Sequence, residues 1–328
     1  MMQLDRSTLG RMAKELGFVR DTLEKVCRLA DVLKFMESDE LLSMGIALKG
    51  GTAINFTIFD LPRLSVDIDL DYCRSIDREE MLVDRDVITD KINKYMTANR
   101  YILSSKSKNY HALDSFVYEY VNCGGVKDNL KIEINYMLRC HVLPVARRGV
   151  KLPWSEETLT VLSVASLEIF ASKTVALLMR TAPRDLYDIY NMVMYGLFDE
   201  SEEEMLRKCV VFYSAIGAEQ PPEGFELDNI EKVSLQQIKR DLVPVLRKGE
   251  RFDLKLVQRE VREYLASILM PTKEEELFWK VFSEGSYCPN LIFGDSNEFV
   301  KNIEKHPMAL WKCRDKSEDK IVITQTVQ

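Results

Sequence analysis

The chain has 328 residues, 46% of them hydrophobic and 30% charged, with a formal net charge of −7. This is enough length for two domains with separate cores, in the composition range of ordinary soluble globular proteins. No uninterrupted apolar stretch reaches membrane-spanning length, which argues against a membrane protein, and the N-terminal MMQLDRSTLGRMAKEL lacks the apolar core and cleavage site of a signal peptide. The seven cysteines are scattered and form no CxxC pair, so reduced thiols in a cytoplasmic protein are expected rather than a disulfide framework or a structural zinc site. The three histidines, His111, His141 and His306, are far apart in sequence. The acidic total does not suit a generally basic nucleic-acid binder, so contacts to RNA would need a local basic rim. Arg100, Lys106, Lys108, Arg147, Arg148 and Lys151 are candidates for it, as are Lys239, Arg240, Arg247, Lys248 and Arg251; solvated helix faces are the alternative use for all of them.

In chain order, residues 3–41 carry apolar side chains at spacings of three and four, which predicts helices broken at Gly17. Gly45–Lys49 reads as a short buried strand entering a tight turn at Gly50-Gly51, after which Thr52 is expected to cap a helix running through Ile58. Val66 to Asp71 alternates strictly. In a strand this puts Asp67, Asp69 and Asp71 on one face and Val66, Ile68 and Leu70 on the other. A helix is predicted from Ile76 to about Met96, then strands at 116–121 and 131–136, the second placing Lys131, Glu133 and Asn135 on its polar face. From Pro153 the pattern becomes helical: 166–178, Arg184 through Met194, 201–217, 228–247, 253–270 and 273–283, with a loop at 217–224 and a charged tail from Lys312. The expected fold class is α+β. A lobe with a small mixed sheet and helices occupies 1–152, and a mainly helical lobe occupies 153–328.

The acidic strand carries the chemistry. Three carboxylates on one face repel one another unless a cation neutralises them, and a divalent ion is the evident choice. Mg²⁺ takes hard oxygen ligands and keeps several waters, so two or three convergent carboxylates suffice, and Mn²⁺ has the same taste. Asp67 and Asp69 supply two. Glu133 is the third if its strand lies beside the first, with a cross-strand salt bridge as its alternative use. Asp71 is placed as a supporting residue. Gly50 and Gly51 lack Cβ atoms and let backbone amides approach a phosphate, with Thr52 or Ser65 offering a hydroxyl. These features point to metal-dependent nucleotidyl transfer from a nucleoside triphosphate (NTP), against the alternative of a solvated edge strand. Lys173 lies within an apolar helix and either snorkels to water or lines a cleft. Arg180, Arg184, Asp185 and Asp188 follow closely, Asp185 and Asp188 one turn apart. Lys173 and Arg184 are candidate phosphate ligands with the acids orienting the lysine or the acceptor; helix capping is the alternative role for Asp185.

KGGTAIN at 49–55, RLSVDIDLDY at 63–72, KIEINY at 131–136 and SLEIFASKTVALLMRTAPRDLYDIY at 166–190 together resemble the AbiEii family, nucleotidyltransferase toxins of type IV toxin–antitoxin and abortive-infection systems. The resemblance spans most of residues 1–200. It implies a polymerase-β-like nucleotidyltransferase lobe joined to a helical lobe, with the active site in the cleft between them. It also implies Asp67 and Asp69 as metal carboxylates, Lys173 as the lysine contacting the triphosphate, and Asp188 or Asp185 as the acid near it. Transfer of a nucleotide to an RNA, in some members the acceptor end of tRNA, growth arrest, and neutralisation by a cognate antitoxin encoded nearby are further implications. Two features depart from the wider superfamily: Gly-Gly-Thr stands where Gly-Ser is usual, and Glu133 where an aspartate is common. The competing readings are an enzyme that modifies a small cationic molecule, which the acidic net charge suits, and a catalytically silent interaction protein.

Overall fold

The computed structural model describes residues 5–295 and 297–314; the remainder of the charged tail read from the sequence lies outside them. The chain divides into two compact units. The first runs through Arg139 and adds Val145–Val164 and Lys239–Arg251. The second comprises Cys140–Pro144, Ala165–Ile238 and the chain from Phe252. The passage between them at 164/165 falls later than the change of character at Pro153, because a strand at 159–163 joins the sheet of the first unit.

The first unit opens with α1 (Arg6–Leu16), α2 (Arg20–Glu37) and α3 (Glu40–Gly45). Asp5 caps α1 by accepting from the Ser7 and Thr8 amides, and Gly17 ends it at φ +78°, the break expected from the sequence. The strands are β1 (Ile46–Lys49), β2 (Asp67–Tyr72), β3 (Ile102–Leu103), β4 (Lys108–Asn109), β5 (Leu113–Val121), β6 (Lys127–Asn135), β7 (Ala146–Val150) and β8 (Leu159–Ser163). They form one mixed sheet in the order β3-β5-β6-β2-β1-β8-β7, with β4 also pairing β5. The β1/β2, β5/β6 and β7/β8 pairs are antiparallel, whereas β2/β6 and β1/β8 are parallel. Between β1 and β2, α4 (Gly50–Ala53) runs into a π-turn at Ile54–Ile58, and α5 (Arg78–Ala98) follows β2 with Asp77 as its cap.

Register sorts the two faces of this sheet. Leu48, Leu70 and Ile134 lie in successive pairs, as do Ile68, Ile132 and Phe116, and all are buried. Met81, Ile88, Ile92 and Met96 of α5 are buried too, and Asn93 of that helix accepts from the Tyr118 hydroxyl at 2.6 Å. The opposite face carries the polar side chains of the alternation. The segment from the second half of the chain adds to this unit through the Leu64 amide, which donates to the Val245 carbonyl at 2.8 Å. Arg247, a candidate for the basic rim, donates to the Leu16 carbonyl at 2.8 Å and lies over the Phe18 ring, so it is built into the fold.

The second unit holds α6 (Ser166–Arg180), α7 (Pro183–Met194), α8 (Glu200–Gly217), α9 (Leu235–Gln237), α10 (Leu254–Ile268), α11 (Lys273–Ser283), α12 (Asn290–Phe293) and α13 (Glu298–Ile303). The helix expected at 228–247 is instead a series of short turns. A 3-10 turn spans Leu227–Lys232, Ser234 caps the brief α9, and Pro244 sits in a last turn. Glu168 ties the segment 140–144 to α6: its buried carboxylate accepts from the Val142 and Leu143 amides at 2.8 and 2.9 Å and from the Tyr213 hydroxyl. Burial pushes the Glu168 pKa up, against the pull of His141 and these donors. None of the seven cysteines is in a disulfide. Among the described residues no helix is long and apolar enough to cross a membrane.

Candidate active site

The Gly-Gly turn and the acidic strand are fastened to each other by the residues around them. Gly50 has φ +65°, and a Cβ there would stand 2.5 Å from Asp69 Oδ2 and 3.2 Å from Asp69 Cβ. Glycine is required on both counts, because the left-handed region disfavours other residues and the Asp69 carboxylate occupies the space a side chain would need. A Cβ on Gly51 would stand 2.7 Å from Arg63 Nη2 and 3.0 Å from Ser65 Oγ. Asn55 donates to the Gly51 carbonyl at 2.7 Å and accepts from the Arg63 amide at 3.3 Å, and Arg63, fully buried, donates to the Leu64 carbonyl at 2.9 Å. Thr52 does not cap the helix, which begins at Gly50 with Lys49 in the cap position. Its buried hydroxyl donates to the Asp67 carbonyl, so it pins the turn to β2. We expect Gly50→Ala to cost about 1–2 kcal/mol of stability from the backbone conformation alone. It should also lower activity by displacing Asp69; a thermal melt and a transfer assay together check both effects.

β2 lies between β1 and β6, and the polar face of the three strands is where the sequence-derived candidates meet. Asp67 pairs with Lys131 and Asp69 with Glu133 in the parallel β2/β6 register; Lys49 pairs with Asp69, and Ala47 with Asp71, across β1/β2. The strand neighbour that Glu133 needed is therefore present, and Asp67, Asp69 and Glu133 share one half-buried face. Asp71, nearly fully buried, pairs with Lys49 Nζ at 2.5 Å, which fits its supporting role. Glu133 makes a salt bridge, but along its own strand to Lys131 Nζ at 2.8 Å rather than across strands. Burial pulls the Lys131 pKa down, but Glu133, Asp67 and Asp69 outweigh it and hold the ammonium above its ordinary value. Among the described residues, no three His, Cys, Asp or Glu side chains are arranged to hold a metal ion as they stand. The donor set still fits a hard divalent cation: Asp67 and Asp69 offer oxygen ligands two residues apart, and Mg²⁺ fills the rest of its shell with water.

In the second unit, α6 and α7 build a buried ionic cluster. Lys173 Nζ lies 2.7 Å from Asp185 Oδ1 and 3.2 Å from Asp188 Oδ2, and Arg180 Nε donates to Asp185 Oδ2 at 2.8 Å. Both carboxylates are 1% exposed, whereas Lys173 keeps 12% of its side chain accessible. Burial alone would raise the Asp185 pKa; Lys173 and Arg180 reverse this and hold it below the usual carboxylate value. Asp185 is therefore an ion-pair acid rather than a helix cap. Arg184, half-buried, sits at the start of α7 beside it in sequence.

Three residues of interest carry no role in the sequence reading. Lys49 and Lys131 prove to be the cations that flank the acidic strand, a role that period-2 alternation hints at for Lys131 only. Asn191, one turn beyond Asp188 on α7, is buried with its Nδ2 without a hydrogen-bond partner. A buried asparagine three residues after an acid was the available signal.

A mixed sheet carrying paired aspartates beside a Gly-Gly turn, with a helical unit in which a partly accessible lysine meets two buried carboxylates, is the arrangement expected of a nucleotidyltransferase. The family model described as "Nucleotidyl transferase AbiEii toxin, Type IV TA system" matches residues 34–281, and the chain belongs to that family. The match continues well past residue 200, where the motifs fade. No curated protein matches. Among solved structures, the chain is similar to MenT4, a nucleotidyltransferase toxin from Mycobacterium tuberculosis H37Rv, at 15% identity and a TM-score of 0.63, covering 94% of this chain and 99% of that one. At that identity the likeness speaks for the fold. The protein is thus an AbiEii-type nucleotidyltransferase toxin of a type IV toxin–antitoxin system, and the family implies a cognate antitoxin as its partner.

Proposed function

We propose that this enzyme transfers a nucleoside monophosphate from an NTP to an RNA acceptor, the 3′ end of tRNA, in a reaction that depends on Mg²⁺ (or Mn²⁺), and that the modified RNA blocks growth. The observation that carries the reading is the β2/β6 register, which sets Glu133 beside Asp69 on the face that also holds Asp67 and packs against Gly50. In the reaction an acceptor hydroxyl oxygen bonds to the α-phosphorus, the bond from that phosphorus to the bridging oxygen breaks, pyrophosphate leaves, and the hydroxyl proton passes to solvent. A bound divalent cation supplies charge neutralisation at the attacking and leaving oxygens. Asp67 and Asp69 hold and orient that cation, with Glu133 as the further carboxylate within the set. Lys173, its ammonium fixed by Asp185 and Asp188, presents positive charge to the triphosphate, and Arg184 adds a second cation. The amides of Gly50 and Gly51 offer phosphate contacts that a side chain would obstruct.

The test incubates the protein with each labelled nucleotide in turn, total tRNA and Mg²⁺. Label should appear on RNA from a preferred nucleotide and vanish on addition of a chelator. Label on a small molecule and on no RNA would instead assign the enzyme to small-molecule modification.

A further inference from the structure

We propose that Lys131 is a built-in counter-ion of the acidic face: it occupies the carboxylates while no nucleotide is bound, moves to the triphosphate when an NTP arrives, and so releases Glu133 to join Asp67 and Asp69 in holding a divalent cation. The proposal rests on the reading of this face as the metal and nucleotide site. Its basis is geometric. Lys131 stands opposite Asp67 in the parallel register, and Glu133 opposite Asp69, so one ammonium lies among three carboxylates on adjacent strands. Its Nζ reaches Glu133 Oε2 at 2.8 Å. Electrostatic attraction from Asp67 and Asp69 as well as Glu133 acts on the same ammonium.

The two lysines of this face are not equivalent. Lys49 is paired with a carboxylate that is 5% exposed, and that pair is part of the packed sheet. Lys131 and Glu133 keep 38% and 26% of their side chains accessible, so their contact can open without uncovering a buried charge. A triphosphate carries more negative charge than the carboxylates and competes for the lysine, and the lysine's flexible four-carbon stem permits the move. Nucleotide binding and cation binding at this face are thereby coupled, each strengthening the other.

The experiment measures Mn²⁺ binding to the full chain by electron paramagnetic resonance, with and without a non-hydrolysable NTP analogue, for wild type, Lys131→Met, Lys131→Arg and Asp69→Asn. Removing one positive charge a few ångströms from the cation should tighten nucleotide-free Mn²⁺ binding at least about tenfold in Lys131→Met. That variant should also bind the analogue more weakly and lose most of the coupling, and Lys131→Arg should behave close to wild type. Mn²⁺ affinity in Lys131→Met equal to or weaker than wild type overturns the proposal. Asp69→Asn separates the two claims. If it loses Mn²⁺ binding while Lys131→Met fails to gain any, only the role of Lys131 falls; if it binds Mn²⁺ as wild type does, the reading of the face falls and the role of Lys131 with it.

Discussion

Asp69→Asn is expected to lower nucleotidyl transfer by about a thousandfold or more, because loss of one metal carboxylate removes several kcal/mol of transition-state charge stabilisation. The substitution should not destabilise the fold. Asp69 is half-buried on the polar face of β2, where Asp67 and Glu133 repel its charge and Lys131 attracts it, so a neutral amide gives up attraction and repulsion together. Asparagine also keeps the shape that Gly50 packs against. The prediction is therefore a near-wild-type melting curve with an inactive enzyme. In cells, expression of wild type should arrest growth and expression of Asp69→Asn should not. Equal toxicity of the two would remove the acidic strand from the mechanism, and transfer within tenfold of wild type in vitro would do the same.

Period-2 alternation carries more of this site than any other signal. It is local, so it places Asp67 and Asp69 on one face and Lys131 and Glu133 on another strand's polar face before any contact is known. The inference that the two strands are neighbours needed the motif order as well, and the parallel β2/β6 register supports it. What neutralises the acidic face was not legible. The expected divalent cation has competition from Lys49 and Lys131, and these reach the aspartates through pairings with β1 and β6 that no single stretch encodes. Thr52 shows the same limit: a threonine after Gly-Gly suits a cap, yet the approach of β2 gives its hydroxyl a better acceptor in the Asp67 carbonyl. The strands β7 and β8 escaped because they are short and their partners are each other and β1, while the broken course of 227–245 follows from Ser234 and Pro244 acting against an apolar periodicity.

Lys173→Met is expected to damage both activity and stability, in contrast to Asp69→Asn. Asp185 and Asp188 are each 1% exposed and share the Lys173 ammonium at 2.7 and 3.2 Å. Removing one partner of a buried pair leaves charge uncompensated in a poorly solvated place, at a cost of about 3 kcal/mol or more. Arg180 still donates to Asp185, so part of that carboxylate's compensation survives. Adding Asp188→Asn to Lys173→Met removes an anion along with the cation; the double variant should recover much of the melting temperature and none of the transfer. The pH dependence has a definite sign. Lys173 and Arg180 hold the Asp185 pKa below its ordinary value of 3.8, so the stability they confer is complete above that value and is lost as pH falls through the lower folded value. Without Lys173 the carboxylate takes its proton at higher pH, and the acid limb of unfolding should move upward in pH. A Lys173→Met protein that melts with wild type and unfolds in acid at the same pH would show that the lysine spends its charge elsewhere, and the assignment of Asp185 and Asp188 as its positioning residues would not stand.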